Sequence, residues 1–186
     1  MTFGISTHLF HNERLERAHL ETIKAHGFDL VEIFATRTHV DYRDRATILA
    51  LHGWLGDLGI TAATMHAPIF DSFRGGQWGR PLSNASNIAA NRIEAIDETK
   101  AAIDAARALG CQVVVVHLGL PRGQKIPPGD NDASSMRKSL EAIAAAASAA
   151  GVRLALEVIP NDLSTPAALV DLLSGDLDVG DTGICL

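Results

Sequence analysis

The sequence predicts an α/β fold of the (β/α)8 TIM barrel type, truncated after about five βα units plus a sixth strand. Short apolar runs alternate with segments of helical period along the 186 residues, a pattern typical of parallel strands joined by crossover helices. Along these runs, side chains of one parity are small at first and ionisable at the end, as expected of the filled interior and active end of a barrel. No glycine-rich turn follows the first run, which disfavours an open dinucleotide-binding sheet.

Six runs are predicted to be strands, and each is followed by a helical pattern except the last. The predicted strands are 2–8, 30–36, 61–67, 112–118, 153–159 and 182–186. The predicted helices are about 13–27, 45–59, 85–110, 134–151 and 165–174. Glycines suited to a left-handed C-terminal cap follow these helices at Gly27, Gly59, Gly110, Gly151 and Gly175. Ser134 and Ser164 are the predicted N-caps, and Pro166 fits a first helical turn.

The spacing of the strands makes the chain short for a complete barrel. The predicted strands begin about every 36 residues, so eight units would need more than the ~250 residues of a typical barrel. We therefore expect residues 1–186 to form a single domain, an incomplete TIM barrel with strands one to six. Such an open sheet has two free edges, which predict self-association.

The composition disfavours a nucleic-acid-binding, membrane-spanning or secreted protein. The net charge of −6 provides no basic field for nucleic acid or for an anionic membrane surface. No apolar run approaches the ~18 residues of a membrane span, and MTFGISTHLF has neither the basic start nor the long apolar run that we expect of a secretion signal. The two cysteines, Cys111 and Cys185, are consistent with a reducing compartment, so we expect a cytoplasmic protein.

Glu157 is an acidic residue near the end of the apolar run 153–159. Leu154, Leu156 and Ile159 indicate a strand buried on both faces, where an uncompensated carboxylate costs several kcal/mol. A metal ion, a bound substrate or a partner cation would compensate that charge. The alternative is a carboxylate that is exposed on an edge strand or held in a structural ion pair.

Two histidines occupy the same position on neighbouring strands. His66 precedes Pro68, which limits its strand, and His117 ends the next strand with the same inward parity. Together with Glu157 they predict a shared site, because imidazole nitrogens bind divalent metals or hydrogen-bond to sugar hydroxyls. A lone histidine would more simply be a core residue. His8 and Glu32 have the same parity and are further candidate substrate contacts, although His8 is followed closely by His11.

Two loops are further candidates for ligand contacts. The segment 70–84 is long and contains glycines, and its Phe73 and Trp78 could cover a ligand. Arg122 and Lys125 in the segment 121–129 could hold a phosphate or could be solvated charges. Trp54 recurs with leucines at helical spacing, which predicts a core residue.

Five segments together resemble successive strands of a known superfamily. They are FGISTHLF, LVEIFATRTH, TMHAPIF, VVVVHLG and LALEVIP, and they are similar to the xylose isomerase-like TIM barrel superfamily of sugar phosphate isomerases and epimerases. The resemblance implies that Glu157 is a metal ligand and catalytic residue, with Mn, Mg, Co or Zn as the divalent cofactor. It implies that His66 and His117 contact substrate in the sugar branch, or metal in the abasic-site endonuclease branch. Val158 stands where many relatives have asparagine.

The resemblance also implies a function. A sugar or sugar phosphate would be isomerised or epimerised by proton transfer through an enediolate-like intermediate. In the family the remaining ligands lie on strands six to eight, so we expect the chain alone to be inactive. The alternatives are a zinc phosphodiesterase acting on abasic DNA, which the acidic charge disfavours, and a barrel that binds without catalysis.

Overall fold

A computed structural model describes residues 3–123 and 129–186 of the chain. It contains one six-stranded parallel sheet, one small antiparallel hairpin and five α-helices. The sheet strands are β1 (Gly4–Ser6), β2 (Leu30–Phe34), β3 (Thr61–His66), β6 (Val113–Val116), β7 (Arg153–Glu157) and β8 (Thr182–Cys185). The hairpin strands are β4 (Phe73–Arg74) and β5 (Gln77–Trp78). The helices are α1 (Arg17–Ala25), α2 (Arg45–Leu58), α3 (Ala89–Leu109), α4 (Ala133–Ala150) and α5 (Pro166–Leu173).

The order of the strands identifies the type of sheet. Neighbours follow the chain in the order β1-β2-β3-β6-β7-β8, and α1, α2 and α3 each pack against the next helix along the chain. Sequential parallel strands with helices side by side are the arrangement of a barrel, whereas a doubly wound sheet reverses its strand order. The predicted fold class, part of a (β/α)8 barrel, is therefore confirmed. The β1 and β8 strands are the two edges of the sheet.

The core lies between the sheet and the helices. The strand side chains that point towards the helices are almost completely buried there, among them Ile33, Met65, Val114 and Leu156. The opposite, inward face of the sheet is more open to solvent. On this face, 31% of the Glu157 side chain on β7 is exposed. The prediction that β7 is fully buried on both faces is wrong for this inward side, while the burial of Leu154, Leu156 and Ile159 is confirmed.

Three of the five predicted C-caps agree with the structure, whereas the two predicted N-caps do not. Gly59, Gly110 and Gly151 are left-handed C-caps as predicted. The N-caps of α4 and α5 are Asp132 and Thr165 instead of Ser134 and Ser164, because their side-chain oxygens accept hydrogen bonds from Ser135 and Ala168. The C-caps of α1 and α5 are His26 and Ser174 instead of Gly27 and Gly175.

The first predicted strand ends earlier than expected. It stops at Ser6, and His8 lies in a 3-10 helix over Thr7–Phe10. Ser6 accepts a hydrogen bond from the His8 backbone N–H, and the Thr7 hydroxyl accepts one from the Phe34 N–H at 2.9 Å. These bonds replace the sheet ladder with a turn. His8 is therefore not at the end of a strand, and it is exposed.

The segment predicted to be a long loop contains a regular hairpin. Phe73 pairs with Trp78 and Arg74 with Gln77, and the connecting Gly75 and Gly76 both have positive φ. Two residues with positive φ form the tight turn that suits the twist of a hairpin. The Thr38 hydroxyl accepts a hydrogen bond from the Phe73 N–H at 3.0 Å, which holds the hairpin over the end of β2.

A buried carboxylate, Glu98, links α3 to the segment after β2. It accepts hydrogen bonds from the Tyr42 hydroxyl at 2.5 Å and from Arg43 Nε at 3.0 Å. Burial, followed by the hydrogen bond to Glu98, raises the pKa of Tyr42. Because Glu98 is paired in this way, its charge is compensated and the contact is structural. Across the described ranges, no helix is both long and apolar enough to cross a membrane.

Candidate functional site

Three predicted site residues meet at the carboxyl ends of adjacent strands. His66 ends β3, His117 follows β6 and Glu157 ends β7, and these three strands are neighbours in the sheet. His66 Nε2 lies 2.9 Å and His117 Nε2 lies 2.8 Å from the same oxygen, Glu157 Oε2. One ligand atom from each residue lies within 4.8 Å of the other two. The structure thus brings together one carboxylate and two imidazoles.

The second nitrogen of His66 determines the protonation of its ring. His66 Nδ1 lies 2.7 Å from the Ala67 carbonyl oxygen, and a carbonyl can only accept, so Nδ1 carries a proton. A neutral ring would then direct the lone pair of Nε2 at the Glu157 carboxylate. This arrangement requires either a second proton on His66 or a cation between the two groups.

Electrostatics of the metal-free site agree with a protonated His66. Burial alone lowers the pKa of His66, but the hydrogen bond to Glu157 and the charges of Glu32 and Glu157 raise it above its ordinary value. Burial outweighs the same kind of bond at His117, and the His66 charge contributes further, so the pKa of His117 is lowered. The hydrogen bonds from His117 and then His66 hold the pKa of Glu157 well below its usual range. The directions of these shifts favour the proton on His66 over His117, beside a charged Glu157 carboxylate.

The same donor set fits a divalent metal ion. Two imidazole nitrogens and one carboxylate oxygen are the ligands of catalytic sites that leave positions open for water or substrate. The Ala67 carbonyl fixes the His66 tautomer that presents Nε2 as a ligand, which is the usual support for a metal-binding histidine. His66, His117 and Glu157 are thus the residues that could hold the ion.

The other predicted contacts lie around this group. Glu32 lies in register with Ser6 and Thr64 on the inward face, and the Thr64 hydroxyl donates to it at 3.4 Å. It is two residues before Phe34, which pairs in register with His66. The structure therefore places Glu32 further from the strand ends than the three grouped residues. Its predicted role in substrate binding stays a prediction.

An aromatic cluster joins His8 to the hairpin. The His8 ring lies 4.3 Å from that of Phe34, and His8 and His11 stack at 4.6 Å. Trp78 stacks on His11 at 5.1 Å, and Phe73 packs edge-on against Trp78 at 4.7 Å. Phe34 reaches His66 at 5.4 Å, so the cluster, defined by the rings of residues 8, 11, 34, 73 and 78, borders the site. Sequence reasoning identified Phe73 and Trp78, but the stacking of His11 was not predicted.

The predicted phosphate contacts are only partly described. Arg122 forms an ion pair with Asp162, and both side chains are mostly exposed, which agrees with the solvated alternative. Lys125 lies outside the described residues. Cys185, which the sequence did not suggest for the site, lies in register with Glu157 on β8. Burial, followed by the charges of Glu157 and Glu32, raises the pKa of its thiol.

Comparisons with solved structures agree with this architecture. A D-tagatose 3-epimerase-like protein is 27% identical, with a TM-score of 0.73, and the match covers 99% of this chain and 64% of that one. D-psicose 3-epimerase from Clostridium cellulolyticum H10, solved with D-tagatose, is 18% identical, with a TM-score of 0.72 and coverages of 99% and 62%. A xylose isomerase-like TIM barrel protein from Mycobacterium smegmatis, solved with magnesium, is 16% identical, with a TM-score of 0.71 and coverages of 98% and 63%. The chain thus spans less than two thirds of the length of these relatives.

The sequence comparisons identify the family. No curated protein sequence matches the chain significantly. A family model described as xylose isomerase-like TIM barrel matches residues 20–176. This range includes most of α1 and the whole of α2, α3, α4 and α5. The chain therefore belongs to the xylose isomerase-like TIM barrel family.

Proposed function

We propose that this chain provides the first βα units of a metal-dependent sugar or sugar phosphate epimerase or isomerase. The observation that carries the proposal is the convergence of His66 Nε2 and His117 Nε2 on Glu157 Oε2. Its position at the carboxyl ends of the strands is where barrels of this type carry their active sites. The similarity to the D-tagatose 3-epimerase-like protein supports a ketose as the substrate class.

The roles of the three residues follow from their protonation. A divalent ion held by them would supply a Lewis acid for the carbonyl and hydroxyl oxygens of a sugar. Without an ion, the hydrogen bonds from His117 and His66 hold the pKa of Glu157 well below its usual range, so its carboxylate is charged and we assign it the role of ligand first. No hydrogen bond among the described residues reaches its other oxygen, Oε1. That oxygen is the atom at which Glu157 would exchange a proton with a sugar carbon.

Proton transfer on both sides of a sugar carbon needs a second acid or base. Within the described residues, Glu157 is the only carboxylate in the metal-binding group. We therefore propose that the 186-residue chain does not turn over a ketose unaided. A second carboxylate beside Glu157 would protonate the enediolate-like intermediate on its opposite face, which inversion of the carbon requires.

Exchange of substrate hydrogen with deuterated solvent tests this function. The chain alone, with Mn²⁺ and a ketohexose in D₂O, is expected to form no epimer, and epimer formation would contradict the proposed inactivity. A fusion that adds the part of the D-tagatose 3-epimerase-like protein beyond this chain is expected to form the epimer and to exchange the hydrogen beside the carbonyl. Glu157→Gln in the same fusion is the control and should abolish the exchange. A folded, metal-loaded fusion that exchanges no ketose hydrogen would contradict the epimerase proposal.

The endonuclease alternative makes a different prediction. A phosphodiesterase of abasic DNA must bind the duplex through phosphate contacts, so its affinity would fall steeply with salt. The net charge of −6 favours the sugar substrate over this one. Salt-dependent binding of an abasic duplex by the fusion would favour the alternative.

A further inference from the structure

One ring nitrogen of His117, Nδ1, has no hydrogen-bond partner among the site residues. Its Nε2 faces Glu157 at 2.8 Å, while its Nδ1 is buried and makes no hydrogen bond to any residue that the structure describes. In this respect it differs from His66, whose Nδ1 donates to the Ala67 carbonyl. A buried polar atom without a partner is uncommon and calls for an explanation.

Metal binding changes what this nitrogen must do. When the His117 Nε2 directs its lone pair at a cation, the ring proton moves to Nδ1, which becomes a buried donor. Metal-binding histidines almost always donate this proton to a carboxylate, a carbonyl or water. His117 therefore needs an acceptor near Nδ1 in the metal-bound state.

Asn84 offers such an acceptor. It is buried, with 5% of its surface exposed, and its Oδ1 has no hydrogen-bond partner within the described ranges. Its other amide atom, Nδ2, already contacts His117, donating to the backbone carbonyl at 3.4 Å. The unused acceptor thus belongs to a side chain whose other amide atom already contacts the residue that carries the unused ring nitrogen.

The backbone around Asn84 is held from both sides. The hydroxyl of Ser83 donates to the Asp130 carbonyl, and the Asp132 N–H donates to the Ala85 carbonyl at 2.9 Å. These bonds fasten the loop before α3 to the loop before α4. A residue between two such anchors can orient a neighbouring ring, because its own position is fixed.

We propose that Asn84 is a positioning residue for His117, accepting a hydrogen bond from Nδ1–H directly or through one water molecule and so fixing the tautomer that binds metal. The inference rests on the proposed metal site. The inference adds Asn84, from the loop before α3, to the three residues that lie at the strand ends. Asn84 itself contacts no metal or substrate in this role.

The test compares Zn²⁺ affinity and the state of the His117 ring in matched variants of the 186-residue chain. Asn84→Leu keeps the size of the side chain but removes the acceptor, and Asn84→Asp keeps an acceptor. Asn161→Leu is the control, because Asn161 is equally buried but donates to the Leu118 and Leu120 carbonyls instead. Competition with a chromophoric chelator measures the affinity, and ¹⁵N NMR of the histidine rings reports the Nδ1–H proton of His117.

The expected result is a loss of roughly 10–100-fold in Zn²⁺ affinity for Asn84→Leu. Asn84→Asp and Asn161→Leu should stay close to the wild type. In the Zn²⁺-loaded wild type the Nδ1–H signal of His117 should be protected from solvent exchange, and Asn84→Leu should lose that protection. If Asn84→Leu does not fold, retention of the protected signal in Asn84→Asp, with a changed ring-nitrogen shift, carries the same evidence.

Three results would overturn the inference. Unchanged affinity and an unchanged His117 signal in folded Asn84→Leu would show that Asn84 does not support the ring. The same affinity loss in Asn161→Leu would show a general effect of destabilised loops. A loss in Asp130→Leu alone would assign the role to Asp130, whose Oδ1 is another buried acceptor without a described partner. If His117→Ala binds Zn²⁺ as well as the wild type, or the wild type binds none, the proposed metal site itself fails.

Discussion

Replacing Glu157 by glutamine should remove most of the stabilisation of the protein by zinc. The substitution preserves the shape of the side chain but removes the charge on the oxygen that both histidines contact, at 2.9 Å and 2.8 Å. A neutral amide oxygen is a weaker ligand than a carboxylate, and its NH₂ group directs protons at one of the imidazoles. The metal site would therefore lose one of its three ligands.

The size of the effect follows from linkage. At a free zinc concentration about 100 times the dissociation constant, binding stabilises the native state by about 2.7 kcal/mol. For a chain of 186 residues, each kcal/mol raises Tm by about 2–4 °C, so the wild type should gain about 5–11 °C. If the substitution weakens binding ~100-fold, as loss of a metal site's supports can, the remaining gain is about 1 °C.

Thermal unfolding followed by circular dichroism, with zinc and with a chelator, measures both gains. Glu141→Gln is the matched control, since Glu141 is an exposed carboxylate on α4. It should keep the full gain of the wild type. An equal zinc-induced gain in Glu157→Gln and the wild type would refute the assignment of Glu157 as a ligand.

Three further predictions concern pH, packing and the sheet edges. Without metal, the lowered pKa of Glu157 stabilises the fold at pH values above its ordinary pKa of 4.5, and this stabilisation is lost as the pH falls through the folded pKa. The raised pKa of His66 stabilises the fold at pH values below its ordinary pKa of 6.5, and this stabilisation is lost as the pH rises through the folded pKa. Urea titrations should therefore show the wild-type advantage over Glu157→Gln shrinking as the pH rises above 6.5, and an advantage that grows would contradict the pairing. Leu156→Ala, at a completely buried position, should lower the free energy of unfolding by about 2–5 kcal/mol. Val170→Ala, at an exposed position, should change it by less than about 0.5 kcal/mol. Similar urea midpoints for the two variants would contradict the burial of Leu156 in the core. The free edges β1 and β8 predict self-association that increases with concentration in sedimentation velocity, and a monomer at every concentration would show that the edges are protected.

The grouping of His66, His117 and Glu157 could be predicted because it depends on local patterns. Each residue ends a strand run with the same parity, and sequential parallel strands bring such ends together. The sequence does not contain the direction of the rings or their protonation. Those depend on the Ala67 carbonyl and on one shared carboxylate oxygen, which only the folded chain shows.

The errors at the first strand and at the hairpin have physical causes. Parity assigned His8 to a strand end, but the hydroxyls of Ser6 and Thr7 bind backbone N–H groups and turn the chain two residues earlier. The hairpin was within reach of the sequence, because Gly75 and Gly76 between two short runs are a turn signal. Asn84 gave no such signal, since its importance depends on contacts between two loops.

Anomalous diffraction from crystals grown with Mn²⁺ or Zn²⁺ tests the central claim most directly. The account predicts an anomalous peak about 2.0–2.2 Å from His66 Nε2, His117 Nε2 and a Glu157 carboxylate oxygen. Both imidazoles and the carboxylate should remain close to the positions described here, with the ion between them. A peak that lies elsewhere, or crystals with bound metal at no more than surface carboxylates, would contradict it.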